Sequence, residues 1–259
     1  MFSIGDVRRT CPTAMNLSEW QSRLELAACY RVFDSRGWTE EIFNHITVRV
    51  PESDQHYLIN PFGLNYGEVT AHNLVKVNAN GDGVSGTSDL VNRAGFIIHS
   101  AIHRARKDAH CIVHTHHTAG VAVASKQNGL AMDNFYAALL YGKLAYHEFE
   151  GVTVHDGEQE RLVASLGEKT LLILRNHGLL VAERDLPGAF YWMCMLQRAC
   201  EVQVLCAAMA GPTLALSIEA CEVSSRGLHK TDPGNALYSK VFAAAVRRAG
   251  ITLEALVAR

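Results

Sequence analysis

The stretch Cys111 to Gly120, read as CIVHTHHTAG, constrains this chain more than any other. An apolar run enters it, and His114 and His116 stand two residues apart. Side chains alternate faces along a strand, so this spacing aims both imidazoles into the same space. Two neutral imidazole nitrogens presented together are half of a metal site.

A third histidine offers to complete it. Thr170 to Leu174 reads as a strand, fully buried because residues 171 to 174 are all apolar, and Asn176, His177 and Gly178 interrupt it before Leu179 to Ala182 resume extended structure. His177 therefore stands where the backbone bends, pointing from a strand end toward a cleft. Three imidazoles that leave one coordination position open are the usual holder of a catalytic zinc or similar ion. The other histidines read as structural. His117 falls on the opposite face from its neighbours, and His110 sits at the solvent-exposed entrance. His99 and His103 are four apart in HSAIH, which lacks the glutamate of HExxH, and read as packed or interface histidines.

Periodicity places the remaining elements. A helix runs from an N-cap at Ser18 to Arg36 and stops at Gly37; a strand through Ile46, Val48 and Val50 ends at Pro51; a second strand covers His56 to Asn60. A helical turn at Thr70–His72 precedes a strand over Leu74–Val77 with a hairpin tip in Asn78–Gly83. Helices are expected over Asn92–Arg106, Ala119–Lys126, Asn134–Leu144 and Gln159–Leu166, with a short strand at Thr153–His155. Pro187 opens a long helix to about Ala210; beyond Gly211 order weakens, apart from a helical tail over Asn235–Arg248. Without regular βαβ alternation, this succession argues for one α/β domain over residues 1–259, its core at about 20–210 and a helical tail at 211–259, with a mixed or antiparallel sheet.

Composition narrows the function. A formal charge of -2 gives no electrostatic footprint for nucleic acid or an anionic membrane, no apolar run reaches bilayer length, and neither GxGxxG after a strand nor GxxxxGK[ST] is present. A small-molecule partner is the expectation. Seven cysteines without a CxxC, most of them in apolar runs, suit a reducing cytoplasm.

Four segments in order, NHITVRVP, INPFGLNYGEVT, HSAIHRARKDAHCIVHTH and LLILRNHGLLVAE, resemble the class II aldolase and adducin head-domain superfamily over roughly residues 20 to 210. The resemblance implies an α/β/α layered domain around a central, mainly antiparallel sheet, a homotetramer with clefts between subunits, and His114, His116 and His177 as ligands of a divalent metal, zinc above all, with manganese or iron as alternatives. In aldolases of the family the metal polarises substrate oxygens and stabilises an enediolate, and a glutamate four residues before the helix histidine moves the proton. Four residues before His99 stands Gly95, so that glutamate is absent.

The aldolase phosphate-binding positions differ too. Asn44 and His45 stand where a GN pair is usual, Asn60 to Gly63 replace a hydroxyl-rich turn, and Arg93 and Ala94 replace a serine pair. By this resemblance Asn44, His45, Asn60, Gly63 and Gly95 are the substrate-binding positions, and the substrate is expected to be unphosphorylated. INPFGLNYGEVT and NRAGFIIHSAIHRAR resemble the adducin branch more closely. Two functions follow: a metal-dependent lyase acting on an oxo or hydroxy acid by aldol cleavage or decarboxylation, or an adducin-like binding module without turnover; a metal-dependent oxygenase is a third. The chain ends soon after the domain without the long basic tail of adducins, which favours an enzyme. Its acid or base is then expected from Tyr136, Tyr141 or Tyr238, or from a carboxylate reaching the cleft from elsewhere.

Overall fold

Residues 2–84, 91–151, 157–231 and 236–258 are described in the computed structural model of the chain. It begins with a helix that the sequence reading passes over, α1 (Ile4–Thr10), where the Ser3 hydroxyl accepts from the amide of Asp6. In α2 (Leu17–Ser35) the cap is Asn16, not Ser18: its carbonyl oxygen accepts from the Ser18 amide at 2.9 Å. Gly37, at φ +65°, stops the helix as expected.

Strands β1 (His45–Arg49), β2 (His56–Ile59) and β3 (Val75–Asn78) form an antiparallel meander, and Gly81 makes the expected tip beyond β3. Then come α3 (Arg93–Ala105), β4 (Cys111–Thr115), α4 (Thr118–Ala124) and α5 (Phe135–Leu140). The expected helix to Leu144 breaks early, because Gly142 takes φ +78° and the chain turns into a strand, β5 (Leu144–His147). The strand expected at Thr153–His155 lies outside the described residues. After α6 (Glu158–Leu166) come β6 (Leu171–Leu174), β7 (Gly178–Glu183) and α7 (Leu186–Ala208), the last capped by Asp185 onto the Gly188 amide at 2.7 Å. Past Gly211 the chain is more ordered than expected, with α8 (Ile218–Thr231), α9 (Ala236–Arg248) and α10 (Leu253–Leu256).

The sheet order is β3-β2-β1-β4-β7-β6-β5, antiparallel throughout except for the parallel β5–β6 pair. Both faces are covered. On β4, Cys111 and Val113 join the larger core with residues of α2, α4 and α7, whereas Ile112 faces Ile102 of α3 and Leu162 of α6. This is the expected α/β/α layering, and it leaves β4 and β7 in the sheet's interior, where apolar burial fixes the register. Among the described residues, no helix is long and apolar enough to cross a membrane.

Candidate metal centre

Strand β4 delivers the first histidine. Register pairs His114 with His45 of β1 on one side and Leu180 of β7 on the other, so its ring points toward the α3 and α6 layer at the strand's end. His116 lies just past that end. His177 comes from the bend between β6 and β7, where Asn176 turns the backbone at φ +56°. Gly178 lets this bend approach: a β-carbon there would collide with the Thr115 carbonyl oxygen and stand 3.2 Å from the His116 ring and 3.3 Å from the His114 ring.

The three imidazoles converge, their ligating nitrogens all within 4.8 Å of one another. His114 Nε2 is 2.8 Å from His116 Nε2, which is 2.9 Å from His177 Nε2. The Leu179 carbonyl, 2.9 Å from His114 Nδ1, can only accept, so the His114 proton sits on Nδ1 and Nε2 is a bare lone pair. His116 Nε2 has at most one proton to share between two neighbours, so hydrogen bonding cannot satisfy the trio, whereas a shared cation can. Burial first, then neighbouring histidines, push the basicity of His114 well down; burial also lowers His116 and takes His177 to about 4. Imidazoles held neutral in this way are ready to ligate. The donor set therefore fits a divalent ion.

The trio opens into a cleft of about 820 Å³. Of the positions that the resemblance assigns to substrate, Asn44, His45 and Gly95 line it, and Asn60 and Gly63 do not. Asn60 instead accepts from the buried Tyr30 hydroxyl at 2.8 Å, an internal brace between α2 and the end of β2. Tyr136 packs against the core beside Phe135, Tyr141 ends α5 with its carbonyl accepting from Ser225 Oγ, and Tyr238 stacks on Tyr191; none of the three lines the cleft. Carboxylates do reach it from elsewhere: Glu40 ahead of β1, Glu148 and Glu150 after β5, and Glu158 at the start of α6. His147, Phe149 and Arg175 also line this wall, which sequence reasoning missed together with β5.

His117, His110, His99 and His103 sit as expected. His117 bonds Gln197, His110 is exposed, and His99 and His103 are buried, joined through Thr47 Oγ1 at 2.8 Å to each.

The sequence profile of a family described as Class II Aldolase and Adducin N-terminal domain matches residues 24–204. Alpha-adducin of Rattus norvegicus is 46% identical over 211 residues, which are 80% of this chain and 29% of that one. Among solved structures, an aldolase II superfamily protein from Pseudomonas syringae superposes with a TM-score of 0.86 at 36% identity, over 91% of this chain and 94% of the other. An L-fuculose 1-phosphate aldolase from Glaciozyma antarctica superposes with a TM-score of 0.79 at 31% identity, over 94% and 97%.

Proposed function

Because the chain belongs to the class II aldolase and adducin N-terminal domain family, we propose that it is a metal-dependent lyase which cleaves or decarboxylates an unphosphorylated oxo or hydroxy acid. The observation that carries this reading is the convergence of His114, His116 and His177 at the inner end of a cleft large enough for a small acid. Zinc is the ion of choice for three imidazoles, with manganese and iron as alternatives. When bound, it supplies Lewis-acid polarisation of a substrate oxygen.

The chain's own residues supply positioning and proton transfer. The Leu179 carbonyl orients His114; Asn44 and His45 line the substrate side. Glu150 is poorly suited as a base, because Arg161 holds both of its oxygens. Glu148 is better suited: its side chain is 82% exposed at the cleft, and Arg175 approaches it at 3.7 Å. Glu40 is the other exposed candidate. A homotetramer working in the cytoplasm completes the proposal, in line with the family resemblance.

A second reading, a binding module without turnover, is supported by the identity to alpha-adducin and by Gly95, which leaves the family glutamate's place without a carboxylate. Turnover separates the two. Protein loaded in turn with zinc, manganese and iron is screened against oxo and hydroxy acids for carbon–carbon cleavage and carbon dioxide release. The lyase reading expects a metal-dependent rate that falls at least about a hundredfold in Glu148→Gln or Glu40→Gln, the scale of general acid–base catalysis. Inactivity of the metal-loaded protein across the screen favours the binding module.

A further inference from the structure

Nine buried side-chain polar atoms in the described residues lack a hydrogen-bond partner, and five of them sit together beside the three-histidine centre: both amide atoms of Asn44, both ring nitrogens of His45, and His99 Nε2. An unmade bond of this kind leaves the desolvation cost of the buried group uncompensated. Five in one place mark a site short of a ligand rather than scattered packing faults. The backbone of Gly95 and Asn44 aids His45 electrostatically without completing a bond of good geometry. Asn44 is also held at φ +62°, an uncommon conformation for a non-glycine residue and one that concentrates at functional positions.

A chain of hydrogen bonds fixes the polarity of this group. The Ala109 carbonyl can only accept, so His103, 2.8 Å away, carries its proton on Nδ1 and leaves Nε2 bare. Thr47 therefore gives its single proton to His103 Nε2 at 2.8 Å. Its oxygen is left to accept from His99 Nδ1, also at 2.8 Å. With its Nδ1 proton directed at the Thr47 oxygen, neutral His99 presents Nε2 as a lone pair. It lies behind His45, with the two ring centroids 4.2 Å apart. The orphaned set then holds three acceptors (His99 Nε2, Asn44 Oδ1 and one His45 nitrogen) and two donor groups (Asn44 Nδ2 and the other His45 nitrogen).

We propose that Asn44 and His45, backed by His99, form a hydroxyl-binding subsite which takes the uncharged, hydroxyl-bearing end of a small hydroxy acid and turns away a phosphate or carboxylate there. A hydroxyl both gives and accepts, and so meets a set of mixed polarity. A phosphate or carboxylate brings lone pairs only and would face those of Asn44 and His45, the two members of the set that line the cleft. This subsite rests on the reading that the acid's other end is held at the three-histidine centre.

The test uses four acids sharing one 2-hydroxycarboxylate head: lactate, glycerate, phosphoglycerate and malate. Each is titrated calorimetrically into the full chain loaded with zinc, the loading being checked by metal analysis. Glycerate is expected to bind at least about tenfold tighter than the other three, the discrimination of a site built around a substrate hydroxyl. Asn44→Gly, which accommodates the left-handed backbone, should bring glycerate to the affinity of lactate. Imidazole nitrogen NMR of the metal-free protein should show His99 and His103 both protonated at Nδ1. Phosphoglycerate or malate binding as tightly as glycerate, four equal affinities, or a His99 proton on Nε2 would overturn the subsite alone. No binding by any of the four to metal-loaded protein would overturn the subsite together with the reading of the centre as a substrate site.

Discussion

The His45 ring occupies the space that any side chain at Gly95 would enter: a β-carbon built on Gly95 would stand 2.8 Å from His45 Nδ1 and 3.0 Å from Nε2, and closer still to Cε1. A small residue on α3 and a large one on β1 thus exclude each other's alternatives. Gly95→Ala is expected to destabilise the fold by about 1–3 kcal/mol through overpacking. Adding His45→Ala should recover most of that loss, and denaturant titration of the two single variants and the double variant measures the coupling. Additive effects would show that the introduced β-carbon and the His45 ring are not in conflict.

Gly178 is the second tight approach. Its absent side chain lets the β6–β7 bend meet the end of β4, with the Thr115 carbonyl and two ligand rings against it. Gly178→Ala should push His177 outward and weaken zinc binding at least about tenfold, the scale of damage to groups that orient metal ligands. Competition with a chromogenic chelator reads the affinity directly.

Thr47 bridges His99 and His103 from β1. Thr47→Val keeps the shape but leaves one buried nitrogen on each ring unsatisfied, at a cost of about 1–3 kcal/mol per group. The unfolding free energy should therefore drop by about 2–6 kcal/mol, as urea titration of the metal-free protein would reveal.

Burial drives the His103 basicity down to about 3 and that of His45 to about 4, from an ordinary 6.5. An unfolded chain binds protons at both positions before the folded one does, so stability rises with pH through this window. It is complete above about 6.5 and is lost as pH falls toward the folded values, by about 1.4 kcal/mol per pH unit for each group. Unfolding of metal-free protein between pH about 7 and about 5 should show at least this slope, because His99 and the three converging histidines are lowered in the same direction, and His103→Gln should flatten it by about one group's share. A flat profile in the wild type would contradict the neutral, buried imidazoles.

The sequence already carried the parts of the fold whose signals are local and strong. The apolar runs of β4, β6 and β7, the alternating residues of β1 and the Gly37 stop all appear where periodicity placed them. So does the meeting of His114, His116 and His177, because two of them share strand parity and the third stands at a forced bend. What escaped was β5, four residues long and paired in parallel at the sheet edge. Its sequence, LAYH, has no usable alternation, and the apolar run of α5 hid it; Gly142 was the available signal that α5 had ended. With β5 went His147 and the carboxylates that follow it, which are the far wall of the cleft. Asn60 stands away from the cleft for a different reason, since proximity in sequence to a binding turn does not reveal that its side-chain oxygen is engaged by Tyr30, thirty residues earlier.

Whether His114, His116 and His177 hold a divalent ion is read out by elemental analysis of the purified chain beside His116→Ala. About one divalent ion per chain is expected in the wild type, as for a single three-imidazole site, and none in the variant. An empty wild type after incubation with zinc, or a variant that keeps its ion, would contradict the claim.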